Sequence, residues 1–111
     1  MYRERKPSLE ARAKVLKAMA HPSRLFIIEA LADDESCVCD LTAQIWADVS
    51  TVSKHLSILK QAGLVQDEKR GNQVFYRLRV PCILRFLGCV ESVLSEQARS
   101  QLACLANGSI R

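Results

Sequence analysis

Five cysteines carry the most distinctive chemistry in this 111-residue sequence. Cys37 and Cys39 stand one residue apart, and Cys82, Cys89 and Cys104 follow in the last part of the chain. The N-terminal segment is charged and no apolar run approaches the roughly 18–20 residues that span a bilayer, so we expect a cytoplasmic protein with no membrane partner. In that compartment free thiols or metal thiolates are expected rather than structural disulfides.

The Cys37 and Cys39 pair has the spacing and context of a binding site for a soft ion. We place it at the entrance to a short helix, where the positive end of the helix dipole should make a thiol easier to ionise. Thiolates select soft ions, so the pair suits arsenic(III), antimony(III) or another thiophilic metal ion better than a hard cation. Cys104, alone on an apolar helix, is interpreted as a small buried hydrophobic residue.

The segment from Asp48 to Val65 predicts a helix that reads DNA. Val52, Leu56 and Leu59 recur at helical spacing, and Gly63 ends the helix. The opposite face carries small or cationic hydrogen-bonding side chains suited to a major groove, namely Ser50, Thr51, Ser53, Lys54 and His55. For His55, contact with DNA and a hydrogen bond inside the domain are equally plausible interpretations.

The segment that follows alternates apolar and polar residues on both sides of Arg70-Gly71-Asn72-Gln73, which predicts a β-hairpin. Val65, Asp67 and Lys69 are expected to lie only loosely opposite Val74, Tyr76 and Leu78. Its polar and cationic side chains could hold phosphates or a minor groove beside the helix, and they are Lys69, Arg70, Asn72, Gln73, Tyr76 and Arg77. A solvated hairpin whose charges only protect its edges is the alternative.

Charge is distributed unevenly along the chain, which has a net charge of +4. Residues 1–24 and 49–79 are basic, whereas residues 25–48 contain no Lys or Arg. This layout concentrates positive potential near the predicted reader helix, as phosphate binding requires. The net charge alone does not indicate nucleic acid.

The order of these patterns predicts a mainly α-helical chain with a small hairpin, α-α-α-α-β-β-α, a winged helix-turn-helix. We expect one domain over residues 1–111, with the helix-turn-helix at about 40–63 and the wing at about 64–79. Helices at about 8–20 and 81–105 should form a homodimer, because the apolar face of the terminal helix is broad.

Side-chain types also predict where the helices begin and which residues are buried. Ser8, Asp40 and Ser50 are the expected caps of the first, third and fourth helices. Residues 37 and 38 should form a very short strand or an extended lead-in, and the terminal helix should run from Cys82 to about Cys104. Residues expected to face the core include Val15, Leu16, Met19, Leu25, Phe26, Ile27, Ile28, Leu31, Leu41, Ile45 and Trp46.

Taken together, these segments resemble the ArsR/SmtB family of winged-helix metalloregulators. HPSRLFIIEAL resembles the family's second helix, and CVCDL resembles the metal-binding box of its arsenic-responsive members. STVSKHLSILKQAGLV resembles the family's recognition helix and DEKRGNQVFYRL its wing. The resemblance covers most of residues 15–80. It implies a homodimeric repressor that binds a palindromic operator in double-stranded DNA and releases it when an inducer binds.

The sequence departs from the family's arsenic box, because resemblance implies CVCDLC and this chain reads CVCDLT. Thr42 therefore occupies the third thiolate position, and a hydroxyl is a poor ligand for a soft ion. Either two thiolates suffice or a third sulfur comes from Cys82 or Cys89. These two lie about 10.5 Å apart along a helix, so each should join a different partner. The chain has no His after His55, which argues against the Asp, His and Glu zinc site of other members.

Three functions are alternatives to an ion-responsive repressor. The same repressor could sense oxidants or reactive sulfur, with Cys37 or Cys39 forming a disulfide or polysulfide bridge to Cys82 or Cys89. A small thiol oxidoreductase is disfavoured, because Cys-X-Cys lacks the usual two-residue spacing and no strand–helix–strand unit flanks it, so we expect no enzyme. A dimerisation module without a role on DNA is the third.

Overall fold

A computed structural model describes residues 1–106 of the chain. Its elements, in chain order, are α1 (Tyr2–Met19), α2 (Pro22–Ala30), β1 (Ser36–Cys37), α3 (Val38–Ile45), α4 (Val49–Gln61), β2 (Val65–Arg70), β3 (Gln73–Leu78) and α5 (Ile83–Ala106). They form two compact units, one from Met1 to Pro81 and one that begins at Cys82. This is the predicted winged helix-turn-helix order, with one additional short strand.

Three predicted helix starts are wrong by two to seven residues. α1 begins at Tyr2 rather than Leu9 and includes Pro7, with the Met1 ammonium donating to the Glu4 carboxylate. α3 begins at Val38 with Cys37 at its cap position, so Asp40 lies in the first turn instead of capping the helix. The cap of α4 is Asp48, whose carboxylate accepts from the backbone N–H of Thr51 at 3.0 Å, so Ser50 is already helical. In each case the polar residue that was predicted to cap the helix lies inside the helix, because the helix begins earlier in the sequence.

The core of the first unit forms where α2, α3 and α4 meet. Its seven largest fully buried side chains are Ile27, Ile28, Leu41, Val52, Leu56, Leu59 and Val65. The predicted apolar stripe of α4 is therefore confirmed. Three other predictions of burial are wrong, since Leu16 is exposed, Phe26 is marginally exposed and Trp46 is 94% exposed. Apolar type and approximate helical phase were therefore not sufficient to predict which of these side chains are buried.

The hairpin is confirmed, and its strands pair in a regular ladder rather than loosely. Val65 lies opposite Leu78, Asp67 opposite Tyr76, and Lys69 opposite Val74. Gly71 has a φ of 62°, which suits the first central residue of a two-residue turn. β1 adds a third strand to the sheet, in the order β1-β3-β2, with Cys37 opposite Phe75. Of the two alternatives for residues 37 and 38, the very short strand is present, but it is formed by Ser36 and Cys37, whereas Val38 already belongs to α3.

The second unit is the single long helix α5, which begins one residue later than predicted and ends at Ala106. Cys104 is exposed, so its interpretation as a buried hydrophobic residue is wrong for a single chain. Several large apolar side chains of α5 are exposed as well, namely Phe86, Val90, Val93, Leu94, Leu102 and Leu105. Among the described residues, every helix is too short or too polar to cross a membrane.

Replacing Gly63 with Ala should destabilise the first unit by roughly 1 kcal/mol, because Gly63 has a φ of +84° and a side chain in that region is strained. An added Cβ would lie 3.8 Å from Arg79 Nη1, an ordinary contact, so the cost is in the backbone. Gly63→Asn should cost less, because Asn tolerates this conformation. Urea denaturation of both variants measures this, and equal losses would contradict the backbone explanation.

Candidate DNA-binding surface and thiolate site

The N-terminal half of α4 presents a polar face to solvent. Burial of Val52 and Leu56 on one side leaves Ser50, Thr51, Ser53 and Lys54 exposed on the other. Hydrogen bonds from Thr51 lower the pKa of the Asp48 carboxyl, so the cap carries its charge at neutral pH. The four predicted groove residues therefore lie together on an open surface, and their contact with DNA stays a prediction.

His55 is half-buried and forms contacts inside the domain. Its Nδ1 accepts from Arg24 Nε at 3.1 Å, and its ring centroid lies 4.4 Å from that of His21. Arg24 also donates to the Ala18 carbonyl, so it links the end of α1 to α4. Burial lowers the pKa of His55, and the charges of His21 and Arg24 lower it further. The intradomain hydrogen bond, one of the two interpretations of this residue, is thus present.

The predicted wing residues divide into two groups. The first group lies at the tip of the hairpin. It consists of Asn72 in the two-residue turn and of Lys69, Arg70 and Gln73 beside that turn. Tyr76 and Arg77 lie in the half of β3 away from the turn, where Tyr76 is half-buried opposite Asp67 and Arg77 is exposed opposite Gln66. Burial raises the pKa of Tyr76, and the nearby Asp67 adds to the effect.

Arg70 is held by intramolecular contacts that the sequence did not suggest. Its guanidinium donates to both Glu35 oxygens, at 2.5 and 2.9 Å, and to Glu68 at 2.7 Å. It also lies 4.8 Å from the centroid of the Phe75 ring. The hydrogen bonds raise the pKa of Arg70 and lower that of Glu35. Arg70 therefore braces the hairpin against the residue that precedes β1, and its DNA contact stays a prediction.

Cys37 and Cys39 are brought together with a third potential ligand that was missed from the sequence. Their sulfur atoms and a carboxylate oxygen of Asp40 all lie within 4.8 Å of one another. Cys37 is buried, whereas Cys39 and Asp40 are exposed. The signal for Asp40 was its place in the first helical turn, three residues after Cys37, but it had been interpreted as a helix cap. Thr42 is not part of this cluster, since its hydroxyl donates to the Val38 carbonyl at 2.7 Å.

The protonation of Cys37 differs from the expectation for a helix start. A hydrogen bond with the Cys39 side chain raises the pKa of the Cys37 thiol, and burial and the Asp40 carboxylate add to this. The backbone amide of Asp40 acts in the opposite direction but is outweighed. The expectation of easier ionisation is therefore wrong for Cys37, because a neighbouring sulfur and an acid outweigh the helix terminus.

The thiolate site and the predicted DNA-contacting segments line one cavity of about 310 Å³. Its wall includes Cys37 and Cys39, Ser53 of α4, and the wing residues Asn72 and Gln73. The side-chain amide nitrogen of Gln73 also approaches Cys39 Sγ at 3.9 Å, a weak hydrogen bond. A ligand held by the two sulfurs would therefore lie in a cavity that residues of α4 and of the wing also line.

Cys82 and Cys89 are exposed and belong to the second unit, Cys82 just before α5 and Cys89 within it. Their assignment as ligands stays a prediction.

The comparisons with known proteins agree with this architecture. The family model described as bacterial regulatory protein, arsR family, matches residues 21–67, which include α2, α3 and α4. The chain is 31% identical to the homodimeric winged helix-turn-helix DNA-binding domain of Mb0332 from Mycobacterium bovis, a possible ArsR-family transcriptional regulator. That match covers 86% of this chain and 90% of the other, with a TM-score of 0.74. The protein belongs to the arsR family.

Two further relatives come from Mycobacterium tuberculosis. The uncharacterized HTH-type transcriptional regulator Rv0081 is 29% identical over 103 residues, which cover 92% of this chain and 90% of that protein. Its crystal structure superposes with a TM-score of 0.77 over 86% of this arsR-family chain and 97% of that one. The HTH-type transcriptional repressor SmtB is 40% identical over 70 residues, 63% of this chain, and the match spans about half (52%) of the repressor's length.

Membership of the arsR family confirms that the fold is a winged helix-turn-helix. The relatives are DNA-binding transcriptional regulators, which also confirms the expectation that this protein is not an enzyme. The arsenic-responsive branch within the family stays a prediction.

Acidification should destabilise this arsR-family protein through His55. Because its folded-state pKa is lowered, the unfolded chain binds a proton more readily than the folded one once the pH drops below about 6.5. The contribution of His55 to the free energy of unfolding should therefore be constant above that pH and should decrease as the pH falls below it. His55→Gln, which keeps an acceptor for Arg24 and cannot be protonated, should flatten the fall in Tm between about pH 7.5 and pH 5. Equal slopes for both proteins would show that His55 does not titrate in this range.

Proposed function

We propose that this protein is a homodimeric transcriptional repressor that binds operator DNA and releases it when arsenite, antimonite or another soft thiophilic ion binds Cys37 and Cys39. The observation that carries this proposal is the cavity that both cysteines line together with Ser53 of α4 and the wing residues Asn72 and Gln73. Family membership and the similarity to the repressor SmtB support the repressor role.

Contact with DNA is assigned to the exposed start of α4 and to the tip of the wing. Small side chains at Ser50, Thr51 and Ser53 let the helix approach base edges closely, and Lys54 supplies a positive charge. The wing would contact the phosphate backbone beside the groove through Lys69, Asn72 and Gln73. We give His55 and Arg70 positioning roles, since both already have partners within the domain.

A dimer is needed because one recognition helix reads only a half-site. Two copies related by a two-fold axis would place their α4 helices about 34 Å apart, one turn of DNA. The exposed apolar side chains of α5, such as Phe86, Val90 and Leu94, supply a surface for pairing. The homodimeric state of the Mb0332 domain supports this arrangement.

The donor atoms fit one soft ion. Two thiolates that share an ion at about 2.3 Å lie no more than about 4.6 Å apart, close to the limit of 4.8 Å that holds for Cys37, Cys39 and Asp40. Asp40 would be a harder third ligand than a thiolate, and Cys82 or Cys89 would be a softer one. The third ligand is therefore Asp40 within the cluster or a sulfur from the second unit of either copy.

Ligand binding would be coupled to DNA release through the wing. The Cys39 sulfur accepts a weak hydrogen bond from the Gln73 side chain. If this sulfur bound an ion, the hydrogen bond would be lost and the tip of the wing would lose a contact. The same event would add a group beside Ser53 of α4. A coupling free energy of about 1–3 kcal/mol per ligand is sufficient for clear derepression.

Lys54→Ala should weaken binding to duplex DNA and reduce the slope of log K against log salt by about 1, because one phosphate contact is lost. Lys60→Ala is the matched control, since Lys60 is on the same helix but is paired with Asp67 at 3.0 Å. Fluorescence anisotropy of a labelled duplex, selected from random sequences by binding, measures both slopes. An unchanged slope for Lys54→Ala would remove this residue from the interface.

Titration of the reduced protein with arsenite under anaerobic conditions should produce thiolate charge-transfer absorption together with release of the labelled duplex. Cys37→Ser and Cys39→Ser should each abolish release, whereas Cys104→Ser should leave it intact. A loss of release in Asp40→Asn would identify the carboxylate as third ligand, and a loss in Cys82→Ser or Cys89→Ser would identify a sulfur. Release that persists without Cys37 and Cys39 would refute the proposed site.

A second candidate keeps the repressor and changes the signal to oxidation. It is favoured by the short separation of the two sulfurs and by the exposure of Cys39 to solvent. Hydrogen peroxide would take two electrons from a pair of thiols, giving one disulfide and two water molecules, and Cys82 or Cys89 could supply the partner sulfur. DNA release by peroxide or polysulfide, with none by arsenite or antimonite, would favour this signal over the ion.

A further inference from the structure

Trp46 is the only tryptophan of the chain, and its place in the fold is not explained by stability. It ends α3 with φ 62° and ψ 38°, a left-handed backbone conformation that glycine adopts without strain. Its side chain is 94% exposed, so the fold gains no burial of an indole in return. Neither the local backbone nor the core therefore accounts for a tryptophan at this position.

The position of Trp46 points to a partner. Val49, the first residue of α4, is also exposed, at 58%, so two apolar side chains flank the cap residue Asp48. The same end of α4 carries Ser50, Thr51 and Ser53, and recognition helices contact base edges with their N-terminal residues. Trp46 is three residues from that helix, a span of about 11 Å at most.

We propose that Trp46 and Val49 extend the DNA-binding surface beyond the polar face of α4, an inference that rests on the function proposed above. The indole N–H donates to a phosphate oxygen and the ring packs against the adjoining sugar, while Val49 packs against a thymine methyl group. Trp46 thus fixes the position of the helix on the duplex, and Val49 adds sequence preference.

The charges around Trp46 favour DNA over an acidic or apolar protein surface. Between residues 41 and 60 the only acid is Asp48, and Lys54 supplies a positive charge, whereas Lys60 is paired with Asp67. The Asp48 carboxylate already accepts a hydrogen bond from the Thr51 backbone N–H. An amphipathic indole with one donor and no acceptor matches a phosphate backbone, which offers acceptors and no donors.

Because the chain has one tryptophan, its fluorescence reports on this position alone. Titration with an unlabelled duplex should change the indole emission and reduce its quenching by acrylamide. In parallel, anisotropy of a labelled duplex measures binding independently of the indole. Trp46→Gly should raise Kd roughly tenfold, and Trp46→Phe, which keeps a ring but removes the N–H, should raise it less.

The stability of Trp46→Gly separates a binding role from a structural one. Glycine relieves the left-handed backbone, so this variant should be at least as stable to urea as the parent while it binds DNA less tightly. Loss of affinity together with loss of stability would assign Trp46 to the fold and overturn the proposal.

The remaining outcomes are distinct. Normal DNA binding by Trp46→Gly, with an indole that stays equally accessible on the duplex, overturns the role of Trp46 and leaves the repressor proposal intact. Failure of the parent protein to bind any duplex overturns both. Protection of the indole that rises with protein concentration in the absence of DNA assigns the surface to a second copy of the chain and also overturns the proposal.

Discussion

The pairing of β1 with β3 is the constraint on which the arrangement of the site depends. Only Ser36 and Cys37 take part on the β1 side, opposite Tyr76 and Phe75. This short ladder fixes the start of α3 beside the hairpin, so the two sulfurs and the wing tip share a cavity. The ion pairs of Arg70 with Glu35 and Glu68 hold the same junction from its exposed side. Without β1 the wing would be a two-stranded hairpin, which has little stability by itself.

Burial of one side of α4 provides the second constraint. Val52, Leu56 and Leu59 are completely buried, so the rotation of the helix about its axis is fixed. Because the rotation is fixed, the polar residues on the outer face of α4 stay exposed to solvent. His55 lies at the boundary between the two faces, and its hydrogen bond with Arg24 links α4 to α2. The core and the candidate DNA surface are therefore two sides of the same helix.

Features that depend on a repeating pattern could be predicted from the sequence. The α4 stripe repeats at helical spacing and the hairpin follows from alternating residues on both sides of a turn, so both elements were predicted correctly. Features that depend on single contacts could not be predicted. Asp40 joins the sulfurs only because α3 starts three residues earlier than expected, and Arg70 contacts Glu35, which lies 35 positions away in the sequence. Trp46 was expected in the core because it is apolar, but it lies at the C-terminal end of the short helix α3 and its side chain is exposed to solvent.

The sheet also bears on how the protein avoids association through its strands. An exposed strand edge offers unpaired N–H and C=O groups that can recruit a strand from another molecule and start aggregation. Here one edge is β1, which is only two residues long, and the other is β2, which carries Asp67, Glu68, Lys69 and Arg70 in succession. Short length protects the first edge and a run of charged side chains protects the second. The hairpin can therefore project into solvent without exposing the protein to fibril-like stacking, and the association of copies is left to side chains rather than to backbone hydrogen bonds.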